Sequence, residues 1–339
     1  MIVTNSRTGG GAERSMNLAC NELSKRGWPI SLVPINSSPN DQVTPNCEVF
    51  PLERQWRGGL ISTLTAIWKF QRIINDWKPE VIVLNCDLPE LFGATQFSRS
   101  RLVVVEHVDR PWITRMVLGR VIRRILKLRK AKWVAVSSHL LIWPNSLNPD
   151  AILPNSILTS QANLKVSNKF KKTNRVERLI FIGRLAPQKR PDWMIKIGKI
   201  TGIPVSFIGD GAMRESMQSL AIASELNFTF HGRLEDPWAA IEVGDLLIVP
   251  SEYEGDGLVV IEGIQKGMPM LISDIPDFRR FRLSELNYCR SIQDFANSII
   301  RFRTDISSLL IPPSISTEIL FARSPKNVGD VWEEFLHAI

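Results

Sequence analysis

DLLIVPSEYEGDGLVVIEGIQKGMPMLISD, residues 245–274, decides how this chain is read. It opens on an apolar run, Leu246 to Val249, of the length of a buried strand, which Pro250 and Ser251 end. A turn rich in glycine and acid follows, Glu252 to Gly257, then a helical run from Leu258 to Lys266 closed by Gly267. After Pro269 a second strand runs from Met270 to Ser273. Strand, loop, helix and strand in this order predict a parallel crossover.

The chemistry of the stretch sits where loop meets helix. Gly255 and Gly257 carry no Cβ, so their backbone can approach a ligand closely. The N–H groups of a helix N-terminus there, around Asp256, Gly257 and Leu258, favour an anion such as phosphate. Glu254 and Glu262 are carboxylates suited to accept hydrogen bonds from sugar or ribose hydroxyls. The bland alternative is an ordinary crossover with solvated acids.

P-S-x-x-E-G-x-G-L-x-x-x-E in this stretch resembles the signature of the nucleotide-sugar glycosyltransferases of family 4. The resemblance implies retaining enzymes of GT-B fold, two Rossmann-like doubly wound domains facing across a cleft. It implies that Glu254 contacts the donor sugar and Glu262 the ribose. Asp256 departs from the pattern, because an aromatic residue is commoner there. An acid beside a diphosphate repels it unless the side chain turns away.

Outward from that stretch, α/β alternation covers most of the 339 residues. In the first half, strands are predicted at 1–4, 30–35, 48–52, 80–84, 102–106 and 133–137, with helices at 13–26, 60–77 and 112–130. Polar sequence rich in Asn, Ser and Lys breaks the pattern between Pro154 and Arg178. Alternation then resumes through strands at 179–182, 205–208 and 228–231 and helices at 191–200 and 213–224. The chain closes on helices at 292–302 and 328–338. The expected domains are 1–160, binding acceptor, and 178–325, binding nucleotide sugar, joined by a linker at 161–177. A helix at 326–339 is expected to cross back to the first.

Four further places can carry chemistry. Gly9-Gly10-Gly11-Ala12-Glu13-Arg14 follows the first strand and opens a helix. It lacks the third glycine of a dinucleotide fingerprint and the G-K-[ST] of a P-loop, which leaves a glycine-rich loop or a flexible turn. It is similar to the family's first glycine-rich loop, so Gly10 and Gly11 are carried over as donor-binding positions. Gly183-Arg184-Leu185-Ala186-Pro187-Gln188-Lys189-Arg190-Pro191 sets two cations five apart. Loop cations are ordinarily solvated, but a guanidinium fork and an ammonium suit a diphosphate, where they stabilise charge on a leaving phosphate. The string resembles the family's phosphate clamp, which assigns Arg184 and Lys189 both to donor binding and to catalysis.

His107, at the end of a strand, is either a packing residue or a ligand-facing one; the resemblance places it, with Glu254, at the reacting centre. His231-Gly232-Arg233-Leu234 resembles the loop that holds the nucleobase, which adds Arg233 and Leu234 to the donor-binding set. Asn155 in Leu153-Pro154-Asn155-Ser156 resembles a crossover motif of structural role.

Composition bounds the rest. The net charge is +8, and residues 1–165 hold 21 Lys and Arg against 12 Asp and Glu while residues 166–339 hold 21 against 22. The excess therefore lies in the first half and predicts an anionic partner there. Nine of those cations fall between Arg110 and Lys132, interleaved with apolar residues and without one acid. A basic amphipathic helix fits an anionic membrane surface, and equally a helix packed on its domain with a solvated basic face. Nucleic acid is not expected, for no stacking platform or helix-turn-helix accompanies the charge. Four scattered cysteines and four histidines show neither a disulfide framework nor metal-ligand spacing. No cofactor or metal is expected, because Arg184 and Lys189 take the metal's role. The opening MIVTNSRTGGG has no signal-peptide pattern, so a cytoplasmic location is expected, on the inner face of the membrane if the basic helix binds there.

The resemblance implies a hexosyltransferase-type enzyme. It would move a sugar from a UDP- or GDP-sugar to a glycan or polyprenyl-diphosphate-linked acceptor in cell-surface polysaccharide biosynthesis. A sugar-nucleotide epimerase of the same fold and a non-catalytic nucleotide-binding subunit are the rival readings.

Overall fold

The computed structural model describes residues 1–6, 10–36, 47–55, 58–108, 111–157, 175–222 and 226–339. The chain divides into two units, Met1–Leu158 with Arg323–Ile339, and Thr159–Ala322. Each is a Rossmann-like α/β domain built on a parallel sheet.

In the first unit the elements run β1 (Ile2–Thr4), α1 (Gly11–Lys25), β2 (Ser31–Pro34), β3 (Glu48–Val49), α2 (Gly59–Trp77), β4 (Val81–Asn85), α3 (Asp87–Thr95), β5 (Arg101–Glu106), α4 (Met116–Leu128), β6 (Lys132–Ala135) and β7 (Ala151–Ile152). The sheet order is β3-β2-β1-β4-β5-β6-β7, with parallel pairing throughout the described strands. Its strands are apolar on both faces, as a sheet covered on both sides requires. Val3, Leu84 and Val104 meet Phe70 of α2, Phe92 of α3 and Leu126 of α4. Ile2, Val83, Val103 and Val105 meet Met16, Cys20 and Leu23 of α1.

The second unit runs β8 (Arg178–Ile182), α5 (Pro191–Thr201), β9 (Val205–Ile208), α6 (Arg214–Ile222), β10 (Phe228–Gly232), β11 (Asp245–Val249), α7 (Leu258–Lys266), β12 (Met270–Ser273), α8 (Pro276–Arg279), β13 (Tyr288–Cys289), α9 (Ile292–Arg301) and α10 (Pro313–Ala322). Its sheet order is β10-β9-β8-β11-β12-β13, again parallel. Leu179, Phe181, Phe207 and Ile248 form one core with Met194 and Ile197 of α5 and Phe295 of α9. Gly263 lets α7 press on the other face, since a Cβ there would stand 2.8 Å from Leu247.

The last helix, α11 (Pro325–Ala338), belongs with the first unit. Its Val328, Trp332 and Phe335 complete the α1 core. Arg26 at the end of α1 reaches Asp330 at 2.7 Å and Glu333 at 2.9 Å, and Trp28 donates to Glu333 at 2.9 Å. Most of the expected linker lies outside the described residues, and Val176 is already buried in the second unit's core.

Two readings need correction. Residues 85–101 contain a helix, α3, which the spacing did not suggest. The basic helix starts at Met116 rather than Trp112. Trp112 takes a left-handed backbone, φ 59°, and folds its ring over Gly119, where a Cβ would stand 2.4 Å from it. Its backbone N–H donates to Asp87 at 2.9 Å and its indole to Glu90 at 2.8 Å, so α3 holds it outside the helix.

Candidate active site

In the second unit, the expected site residues gather at the C-terminal ends of the strands, the edge at which open parallel sheets bind ligands. β8, β9 and β10 each run into glycine, at Gly183, Gly209 and Gly232. Gly209 is obligatory, because a Cβ on it would stand 1.9 Å from the Gly183 carbonyl oxygen. The I-G-D-G string at 208–211 is the sequence signal of this close approach. Arg184 follows Gly183 directly and is exposed, its guanidinium making no hydrogen bond or ion pair among the described residues.

Lys189 and Glu254 meet in an ion pair. Sixty-five positions separate them, and two loops bring them together. The Glu252 N–H donates to the Gln188 carbonyl at 2.9 Å, and the Gln188 side chain donates to the Tyr253 carbonyl at 3.0 Å. Ser251 donates to the same Glu254 oxygen at 2.6 Å. The Glu254 carboxylate is buried yet held by a cation and a hydroxyl, which is what retains a charge out of water. Arg190 pairs instead with Glu252 at 3.4 Å and covers the Trp193 ring.

Gly257 caps α7 with φ 61°, and a Cβ on it would stand 2.8 Å from Phe278. Its left-handed backbone opens α7, and a helix N-terminus of this kind is suited to an anion. Gly255 and Asp256 are buried in that turn, and Leu258 starts the helix. The Asp256 side chain turns into the protein. It is buried against Arg280, which donates to its Oδ1 at 2.6 Å. Glu262, one helical turn on, is half-buried and accepts from the Trp238 indole at 3.0 Å. Arg233 and Leu234 follow β10, both exposed.

In the first unit, Thr4, Asn85 and His107 stand at the ends of β1, β4 and β5. The Asn85 amide donates to Thr4 Oγ1 at 3.2 Å, which turns its oxygen toward His107 Nε2 at 2.5 Å. The ring nitrogen therefore donates, and the imidazole is held in one orientation. Gly10 caps α1 and Gly11 opens it, while Gly9 lies outside the described residues. Asn155 is buried, and its carbonyl accepts from Arg323.

The basic segment also needs correction. Arg110 lies outside the described residues. Arg123 is 3% exposed, between Glu106 at 2.6 Å and Glu90, and cannot meet a surface. Arg129 donates to the carbonyls of Gly93, Gln96 and Ser98. Arg115, Arg120, Arg124, Lys127 and Lys130 remain exposed, among Met116, Val117, Val121 and Leu128. Sequence alone could not sort these cations, because their partners come from α3 and β5. Asp277, Arg280, Trp238 and Asn85 carry no signal in the sequence because each acts through a residue at least 22 positions away, and Ser251 is seen as a partner only beside the Glu254 carboxylate.

Residues 163–302 match the family described as glycosyl transferases group 1. The second unit carries a group 1 glycosyl transferase domain. Across 290 residues, 80% of this chain and 78% of the other, the chain is 22% identical to a Haemophilus influenzae protein named an uncharacterized glycosyltransferase. It is 25% identical to Arabidopsis thaliana sulfoquinovosyl transferase SQD2 over 151 residues, 43% of this chain and 29% of that one. On the domain match and these relatives the chain is a glycosyltransferase, a transferase of the EC 2.4 type. Solved structures show its fold as GT-B. Anabaena HepE in complex with UDP and glucose superimposes with a TM-score of 0.74 at 15% identity, covering 100% of this glycosyltransferase and 99% of that chain. Sucrose-phosphate synthase of Thermosynechococcus elongatus gives 0.77 at 16% identity, with 100% and 99% covered.

Proposed function

We propose that this glycosyltransferase moves a sugar, with retention of configuration, from a UDP- or GDP-sugar to a lipid-linked glycan acceptor in cell-surface polysaccharide biosynthesis. The observation that carries the donor reading is the Lys189–Glu254 pair beside the α7 N-terminus. It sets a cation for the diphosphate next to a carboxylate for sugar hydroxyls, with Arg184 exposed after the neighbouring strand. The N–H groups of Gly257 and Leu258 complete the phosphate cradle. Glu262 takes the ribose hydroxyls, and the backbone around Arg233 and Leu234 takes the base. Relatives crystallised with UDP support a nucleotide donor.

Lys189 and Arg184 stabilise charge developing on the leaving diphosphate, so no metal is required for that task. The acceptor hydroxyl attacks from the face the diphosphate leaves, and the departing phosphate oxygen takes its proton. His107, fixed by Asn85, is proposed as a residue of the reacting centre. The exposed basic and apolar side of α4 supports an anionic membrane surface as the place where a lipid-linked acceptor is met. Among the described residues no helix is long and apolar enough to cross a membrane.

Thermal melting with UDP, GDP, CMP, ADP and NAD in turn tests the donor reading. A nucleotide at 100 times its dissociation constant stabilises the fold by about 2.7 kcal/mol. A shift with UDP or GDP alone supports it. A shift with NAD alone, or with none of the five, overturns it.

A further inference from the structure

The one-turn helix α8 and Arg280 just behind it brace the loop between β11 and α7, whose Tyr253 is held by Gln188. Asp277, Phe278 and Arg280 lie within seven residues after β12, and each engages a different point of the loop. The Glu254 N–H donates to Asp277 Oδ2 at 2.6 Å, and both residues are buried. Arg280 Nη2 donates to Asp256 twice, to its carboxylate at 2.6 Å and to its backbone carbonyl. The same guanidinium donates through Nε to the Asp277 carbonyl at 2.9 Å, which ties the two anchoring residues together. Phe278 fills the space over Gly257. The turn is itself braced: the Tyr288 hydroxyl donates to the Phe278 carbonyl at 3.2 Å, and Arg279 stacks on the Tyr288 ring.

We infer that Asp277 and Arg280 are positioning residues for the donor loop, holding Glu254, Asp256 and Gly257 in the shape that receives a nucleoside diphosphate. This rests on the nucleotide-sugar reading above. Arg280 has two effects through Asp256. Its Nη2 fixes the Asp256 carbonyl and carboxylate while its Nε holds the Asp277 carbonyl, a planar fork of donors that an ammonium cannot reproduce. It also cancels a buried negative charge one residue before the helix cap, where an unpaired carboxylate would oppose an incoming diphosphate. Without Arg280, the buried Asp256 carboxylate loses the cation that balances its charge.

Calorimetric titration with UDP and with GDP separates this role from direct contact with phosphate. Arg280→Met raises the dissociation constant about tenfold, the loss of one charge-assisted hydrogen bond. Asp256→Asn combined with Arg280→Met relieves the unpaired acid and returns binding to within about threefold of the parent, as coupled neighbours do. If the pair binds no better than Arg280→Met alone, Arg280 touches the anion itself and the inference fails. Should Arg280→Met not fold, Arg280→Lys keeps the charge and loses the fork; a severalfold weaker dissociation constant is expected, and parental binding overturns the inference. Asp277→Asn, which keeps an acceptor for the Glu254 N–H, binds like the parent, whereas Asp277→Leu binds about tenfold more weakly. Equal binding by Asp277→Leu sinks the role of Asp277. If the parent binds neither UDP nor GDP, the nucleotide reading falls and this inference with it.

Discussion

Arg123 Nη1 lies 2.6 Å from Glu106 Oε2, and Glu106 immediately precedes His107. The same guanidinium meets Glu90, so one buried cation serves two buried carboxylates. α4 is thereby tied to the strand end that presents the imidazole.

Two acids sharing one cation leave a proton to be held. Burial pushes the Glu106 carboxyl from its usual 4.5 up to about 7; Arg123 opposes the shift and Glu90 adds to it. Between those values the folded protein keeps a proton that the unfolded chain has released. Stability is therefore highest below pH 4.5 as far as this group decides it, and falls as pH rises to 7, by at most about 1.4 kcal/mol per unit. Urea midpoints at pH 5, 6 and 7 should fall for the parent and fall less for Glu106→Gln. Identical slopes would contradict the assignment.

Lys189→Met should slow transfer about 100-fold, the scale of losing one charge-stabilising donor. Nucleoside diphosphate binding should weaken with it, because Glu254 loses its partner and faces the ligand uncompensated. Single-turnover rates alongside calorimetry would expose the opposite case, weaker binding with unchanged chemistry.

Glu262→Ala should weaken UDP or GDP binding roughly 10- to 100-fold, as for a lost charged hydrogen bond, while binding of inorganic diphosphate stays put. Trp238 gives the readout: its indole bonds to Glu262, so nucleotide should change its fluorescence in the parent and not in the variant. A nucleotide affinity untouched by the substitution removes Glu262 from the ribose.

Changing Arg115, Arg120, Arg124 and Lys127 together to glutamine should abolish flotation with phosphatidylglycerol vesicles, each cation contributing about 1 kcal/mol. Val117 and Leu128, 75% and 78% exposed, supply the apolar part. Arg123→Met is the informative contrast. It should destabilise the fold by about 3–5 kcal/mol, since it strands two buried carboxylates. Vesicle flotation unaffected by the fourfold change rules out α4 as the docking surface.

Trp332→Ala should destabilise the first unit by about 3–5 kcal/mol, because the indole is buried in the α1 core. Chemical denaturation followed by fluorescence checks this; a change below 1 kcal/mol would mean that α11 contributes little to that core.

The strand–loop–helix–strand unit at 245–274 was legible because each segment carries its own signal: apolar runs for β11 and β12, glycines at both ends of α7. Lys189 and Glu254 could be named from their motifs, but not their pairing, which depends on loops folding against each other. α3 stayed hidden because Asp87-Leu88-Pro89 reads as a turn, and only burial of Glu90 and Phe92 shows why it is helical. Trp112 reads as helical by spacing and is not, since Asp87 and Glu90 hold it elsewhere. Asp256 looks like a flaw in a phosphate site until Arg280, twenty-four positions on, is seen beside it.

The return of α11 to the first unit has a consequence for how the protein is made. A ribosome makes the whole of the second unit before the residues that complete the α1 core exist, so the first unit waits without Val328, Trp332 and Phe335. Domains ordinarily fold as they emerge. Here the second can finish before the first, and the earlier-made half depends on a segment synthesised after its neighbour.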